Sequence, residues 1–192
     1  PLARVSGVMR FTRRPGDQQA ESRFTSLRVL EDGKWRLVES LVALNHAAAL
    51  DDLDWLVGHW HAEDGAGGSV EATYEKAAGG YVILGRSKRK PKAAETIESV
   101  ELIRADRDSG MIRSWTFDST GAGAEGVLVG DGTTLEQILV GTPADTVDGR
   151  EARWVRVIAP AGDGRFTLHA IERSIDGVPL PDGDPLHFRK IR

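Results

Sequence analysis

The sequence has 192 residues, 40% hydrophobic and 28% charged, a globular composition and a length sufficient to bury a core. Its 25 Lys and Arg against 29 Asp and Glu leave a net charge of -4, which argues against nucleic acid or an anionic membrane as the main partner. Cysteine is absent, so disulfides, thiolate metal sites and Cys catalysis are excluded and the compartment, cytoplasmic or exported, stays open. No apolar run approaches the ~18 residues that a membrane span needs.

Pro1-Leu2-Ala3-Arg4 is neither a signal peptide nor a Met start, and is read as a cut end of a longer chain. Residues 1–45 hold 8 Lys or Arg against 5 Asp or Glu, whereas residues 46–192 hold 17 against 24. Three strands are predicted in the first piece, over Val5–Thr12, Ser22–Leu30 and Lys34–Leu44. Arg14-Pro15-Gly16-Asp17-Gln18 forms the first turn. Asp32-Gly33 forms the second, because a type I′ hairpin needs positive φ at both central residues. Such a sheet carries apolar residues on both faces: Phe24 and Leu30 on one side of the middle strand, Leu27 and Val29 on the other. It cannot be stable without cover.

Around Asn45–Leu50 the alternation gives way to His46-Ala47-Ala48-Ala49-Leu50, and a boundary is placed there. Residues 46–57 form a linker with a short helix, since Leu53, Leu56 and Val57 share one helical face. Residues 58–192 then break into short strand-like runs: 59–63, 70–76, 81–88, 95–105, 111–118, 124–130, 134–141, 151–159, 165–174 and 186–191. Between them lie Ala78-Gly79-Gly80, Asp108-Ser109-Gly110, Asp131-Gly132, Asp148-Gly149, Asp163-Gly164 and Asp176-Gly177. Ten short antiparallel strands with tight turns predict a mainly β fold: an up-and-down barrel, which also removes exposed edges, with a two-sheet sandwich as the alternative.

Two stretches resemble known families. Glu21-Ser22-Arg23-Phe24-Thr25-Ser26 with Glu31-Asp32-Gly33-Lys34-Trp35-Arg36-Leu37-Val38 resembles the last two strands of a SnoaL-like domain. These are α+β cones of the nuclear-transport-factor superfamily, including the SgcJ/EcaC group. The match implies that residues 4–44 are a three-stranded remnant of such a cone, without the helices that close it. The second resemblance rests on Leu53-Asp54-Trp55-Leu56-Val57-Gly58-His59-Trp60, Ile112-Arg113-Ser114-Trp115-Thr116-Phe117-Asp118-Ser119, Glu125-Gly126 and residues 171–181. These are similar to a bacterial lipocalin-like module that follows SgcJ/EcaC-type domains. It implies a β-barrel over about residues 51–192 and no settled activity.

For the barrel interior, Trp115 and Phe117 share a face because they alternate with Ser114, Thr116 and Asp118. Trp60, Tyr74 and Trp154 are expected to join them, either as packed core or as the walls of a small-ligand cavity, while Arg113 and Arg156 offer an anion-binding end. His59 and His61 flank Trp60 at a spacing that suits two nitrogen ligands. They need a third, such as His169 or His187, which no spacing specifies, so they are expected to be unligated. His187 alone is also the residue type that ligates haem, but a packed or exposed His is the plainer reading. Asp118 and Glu125 bracket a flexible connection that suits turn capping better than acid–base work. Arg86-Ser87-Lys88-Arg89-Lys90-Pro91-Lys92 places five cations in seven residues, an anion site or, more plainly, a solvated hairpin end.

These readings predict a protein without cofactor or catalytic residues that binds a small hydrophobic molecule in its barrel. The first alternative is a part of a SnoaL-like enzyme of isomerase, cyclase or hydratase type, with its catalytic helices outside this chain. The second is a structural module that completes a larger protein. Residues 4–44 are expected to pair in a homodimer or with a preceding segment of the same polypeptide.

Overall fold

A computed structural model describes residues 2–13, 18–31, 33–44, 50–106, 111–130, 134–142 and 150–191. It divides the chain into two compact units, Pro1–Ala47 and Ala48–Arg192. In the first unit, β1 (Leu2–Arg13), β2 (Gln18–Glu31) and β3 (Lys34–Leu44) form one antiparallel sheet with β2 in the middle. A register shift between Leu27 and Arg28 interrupts the β2–β3 ladder. Gly33 has φ 72°, the left-handed conformation that the second hairpin requires; Asp32 and residues 14–17 of the first turn lie outside the described residues.

The second unit opens with a 3-10 helix over Leu50–Leu56. Its buried residues, Leu50, Leu53 and Leu56, recur every third position, the period of a 3-10 rather than an α-helix. The part of the predicted linker at 46–49 lies outside the described residues. Eleven strands follow: β4 (Gly58–Glu63), β5 (Ser69–Ala77), β6 (Val82–Lys90), β7 (Ile97–Ala105), β8 (Ile112–Asp118), β9 (Gly123–Gly130), β10 (Leu135–Thr142), β11 (Ala152–Gly162), β12 (Arg165–Ile175), the two-residue β13 (Val178–Pro179) and β14 (Leu186–Ile191). Each strand from β4 to β12 pairs antiparallel with its sequence neighbour; β14 then joins β12 to β4, so that ten strands close and β13 lies as a stub on β12. This is the closed up-and-down barrel that the turn spacing predicts, and it excludes the sandwich.

Tight turns make this closure local. Asp163 and Gly164 have φ 48° and 67°, and Asp176 and Gly177 have 48° and 77°, left-handed at both central positions as the hairpin twist demands. The predicted turns at 108–110, 131–132 and 148–149 lie outside the described residues. No helix among the described residues is long and apolar enough to cross a membrane.

Much of the apolar core lies towards the end of the barrel nearest the 3-10 helix, and Ala62, Val70 and Ala72 continue it along β4 and β5. Leu53, Leu56, Ile83, Ile103, Ile112, Leu128, Leu135 and Ile158 surround a row of aromatic rings. Phe166 stacks on Phe188 at 4.5 Å between ring centroids and makes T-shaped contacts with Trp60 at 4.7 Å and Trp55 at 5.7 Å. The Trp60 indole Nε1 donates to the Leu56 carbonyl at 2.7 Å, which ties the helix into the barrel end as a plug. Lys190 lies over the Trp60 ring at 5.3 Å and donates to the Val57 carbonyl. Trp60→Ala is expected to remove about 3–5 kcal/mol of stability by opening a cavity in this plug. Urea denaturation followed by far-UV circular dichroism measures it, and a loss below about 1 kcal/mol would mean that the plug repacks.

Candidate functional site

The parity of the strands decides which side chains enter the barrel. Ile112 and Ser114 are buried on β8, so Thr116 follows them inward, and Arg113, Trp115 and Phe117 point out. Glu101 and Ile103 on β7 are inward by the same rule, as are Gln137 on β10, Arg156 on β11 and Tyr74 on β5. Cross-strand register then sets them side by side: Glu101 opposite Thr116 and Gly85, and Gln137 opposite Arg156.

These residues form one polar cluster above the apolar plug, with the Glu101 carboxylate at its centre. Its Oε1 accepts from Gln137 Nε2 at 2.7 Å, from Arg156 Nη2 at 3.1 Å and from Thr116 Oγ1 at 3.4 Å. Its Oε2 has, among the described residues, a single long contact, 3.5 Å from the Tyr74 hydroxyl. Gln137 Nε2 also donates to Ser114 Oγ at 2.7 Å, and Arg156 Nη2 to Thr116 Oγ1 at 3.4 Å. Gln137 and Ser114 are sealed from solvent, and the Glu101 side chain is only 10% exposed. The Arg156 side chain is 18% exposed, yet its Nε is buried without a hydrogen-bond partner among the described residues. Gly85 makes room for the Tyr74 ring, since a Cβ there would lie 2.6 Å from its Cε1. Burial, then the negative charge of Glu101, pushes the Tyr74 phenol well above its ordinary value, so Tyr74 stays a neutral donor at neutral pH.

Above the cluster, at the end opposite the plug, the barrel wall opens. β14 pairs with β12 only as far as Leu186 opposite Leu168. Beyond that point residues 178–185 form a strap along the upper half of β12. Leu180 donates to the Arg173 carbonyl, and Gly183 to that of Ala170, at 2.7 and 2.8 Å. His169 Nε2 donates to the Gly183 carbonyl, and the Glu172 amide to Asp182 Oδ1. Between this strap and the Asp64-Gly65-Ala66 turn lies a cleft of about 550 Å³, floored by Trp154, Leu168, Ala170 and Leu186 and flanked by Arg89 and Arg173. Ala170 is the cross-strand neighbour of Arg156, so the cleft floor adjoins the polar cluster.

The structure divides the seven residues proposed to bind ligand. Tyr74 and Arg156 meet in the cluster, and Trp154 lies on the cleft floor. Trp60 is enclosed in the plug, 2% exposed. Arg113, Trp115 and Phe117 lie outside: the guanidinium groups of Arg104 and Arg113 cover the Trp115 ring at 6.0 and 5.7 Å, Arg113 faces Glu125 at 3.8 Å, and Phe117 is 57% exposed. Phe117 joins Val100, Thr73 and Lys88 in a second groove, of about 600 Å³, on the outer surface.

The other candidates sit apart from the cluster. His59 bonds Thr73, His61 bonds Glu63, His169 bonds the strap, and His187 is exposed on β14. Among the described residues no group of three potential metal ligands comes together. Asp118 caps its own turn through Thr120 and Ala122. The cations of 86–90 face Glu75, Glu98, Asp64 and Glu71 in turn. Glu101, Gln137, Ser114 and Thr116 are the members that sequence reasoning missed; they share the buried parity of Ile103, Leu135 and Ile112, which hydrophobic alternation alone does not mark.

No protein-family model matches the chain, and no curated protein matches it.

An ion pair placed this deep is sensitive to the loss of one partner. Arg156→Met is expected to cost about 3–5 kcal/mol by leaving the Glu101 charge uncompensated, and adding Glu101→Gln to recover most of that loss. Equilibrium urea denaturation of both variants checks this. Equal losses in the single and double variants would show that charge is not what couples the two residues.

Proposed function

We propose that the barrel is a binding module for a small apolar ligand, taken up through the cleft beneath the strap. The observation that carries this reading is the juxtaposition of a cleft walled by Trp154, Leu168, Leu180 and Leu186 with a polar cluster that adjoins its floor where Ala170 neighbours Arg156. Small-molecule sites combine these two ingredients, apolar walls for affinity and a few placed polar groups for orientation. The closed barrel and the likeness of residues 51–192 to lipocalin-like modules support the same reading. Of the proposed binding residues, Tyr74, Trp154 and Arg156 have the placement for it, whereas the rings of Trp115 and Phe117 offer their area to the outer surface.

The neutral fluorophore N-phenylnaphthylamine is expected to bind with a dissociation constant on the order of micromolar and to be displaced by small hydrophobes. Trp154→Ala should weaken it about tenfold with the strand content unchanged, the worth of one well-buried wall. Absence of binding to the folded wild type, read by fluorescence titration, overturns the proposal.

For the first unit we infer an association role. Its described residues comprise one three-stranded sheet, and Trp35 and Val5 expose 48% and 38% of their surface. The SnoaL-like resemblance of residues 4–44 fits a sheet that once packed against more chain. Light scattering of this chain is expected to give the mass of a dimer. A chain lacking residues 1–45 should be monomeric, and a dimer persisting in that truncation refutes the assignment.

A further inference from the structure

The polar cluster also restricts what the head of a bound molecule can be. Glu101 and Arg156 already neutralise one another at 3.1 Å inside the barrel. Among the described residues Arg156 Nε is buried without a hydrogen-bond partner, and Glu101 Oε2 has only the 3.5 Å approach of Tyr74. We propose that the barrel selects ligands with an uncharged head that carries a hydrogen-bond acceptor beside a donor, as a primary amide does. This rests on the reading of the barrel as a ligand-binding module.

The physical argument is charge balance in a poorly solvated site. A carboxylate head drawn to Arg156 meets the Glu101 carboxylate, so two like charges compete for one guanidinium away from water. An ammonium head drawn to Glu101 meets Arg156 in the same way. A neutral head avoids both: its carbonyl accepts from Arg156 Nε, its N–H donates to Glu101 Oε2, and the existing ion pair is left intact. Buried groups left unpaired are costly, so a head that fills both vacancies gains more than its own hydrogen bonds suggest. Tyr74 reinforces the choice, since a neutral phenol adds no charge to offset that of an ionic head.

Three probes of equal chain length decide the matter: decanamide, decanoate and decylamine, each used at pH 7 to displace N-phenylnaphthylamine from the wild-type protein. The amide is expected to displace the dye at least about tenfold more tightly than either ion. Charge removal should then redirect the preference. In Glu101→Gln the unbalanced Arg156 favours decanoate, and in Arg156→Met the unbalanced Glu101 favours decylamine. If the dye binds and the three probes compete equally, or an ion competes best in the wild type, the head selection is refuted while ligand binding stands. If dye and probes all fail to bind the folded wild type, the binding reading falls and the selection with it. The wild-type comparison decides the proposal even where a variant does not fold.

Discussion

The architecture of the second unit depends on β12 finding hydrogen-bond partners along both edges. A barrel exists only if its last strand meets its first, and the chain reaches β4 from β12 through the six residues of β14. That strand is too short for the eleven residues of β12. Its pairing with β12 covers Arg165–Leu168, and the peptide groups farther along must bond elsewhere or remain unpaired. The strap meets this need by running back along β12 rather than across to β4. The wall is thus sealed at the plugged end and parted at the other, and the cleft occupies the parting. The cleft follows from a mismatch in strand length.

The interior is correspondingly layered. At the sealed end, aromatic and aliphatic side chains pack together, with Leu53 and Ile83 wholly buried. One layer higher the inward positions are Gly85, Glu101, Ser114, Thr116, Gln137 and Arg156, residues whose polar atoms bond mainly to each other. An apolar layer of the same volume would hold the barrel together at least as well, because a buried ion pair loses hydration that its Coulomb attraction roughly repays. Such a layer is therefore no evident source of stability. The separation is longitudinal: stacked aromatic rings towards one end, a hydrogen-bonded polar layer beyond them.

How much of this was legible in the sequence differs between backbone and interior. Asp163-Gly164 and Asp176-Gly177 fix their turns through local conformational preference alone, so the strand count and the antiparallel closure follow from spacing. The strap does not, since Val178–Pro179 and the residues after it follow no period; their place is set by the unfilled edge of β12. The helix at Leu50–Leu56 was readable as an apolar face, but Val57 lies outside it because the repeat is three. The interior proved hardest. On β7 the outward residues Val100 and Leu102 are as apolar as the inward Ile97 and Ile103, so alternation does not separate the faces. On β8 the bulky Trp115 and Phe117 suggest an inner face, whereas that face holds Ser114 and Thr116, the small polar residues that a crowded ion-paired layer admits. Bulk predicts the inside of a packed barrel and misleads where the inside is polar.

The placement of the five tryptophans makes the molecule's own emission selective. Trp35 is the one indole of the first unit and is already about half in water in the folded sheet. Its emission colour therefore changes little when that sheet comes apart. Trp60 is shut inside an aromatic stack, with Trp55 against the same ring, and both pass from an apolar to an aqueous setting on unfolding. The red shift of a melting curve thus reports the barrel and is nearly blind to residues 2–44. A chain whose sheet has frayed while its barrel stands looks native by this optical criterion, and only a probe of the backbone distinguishes the two.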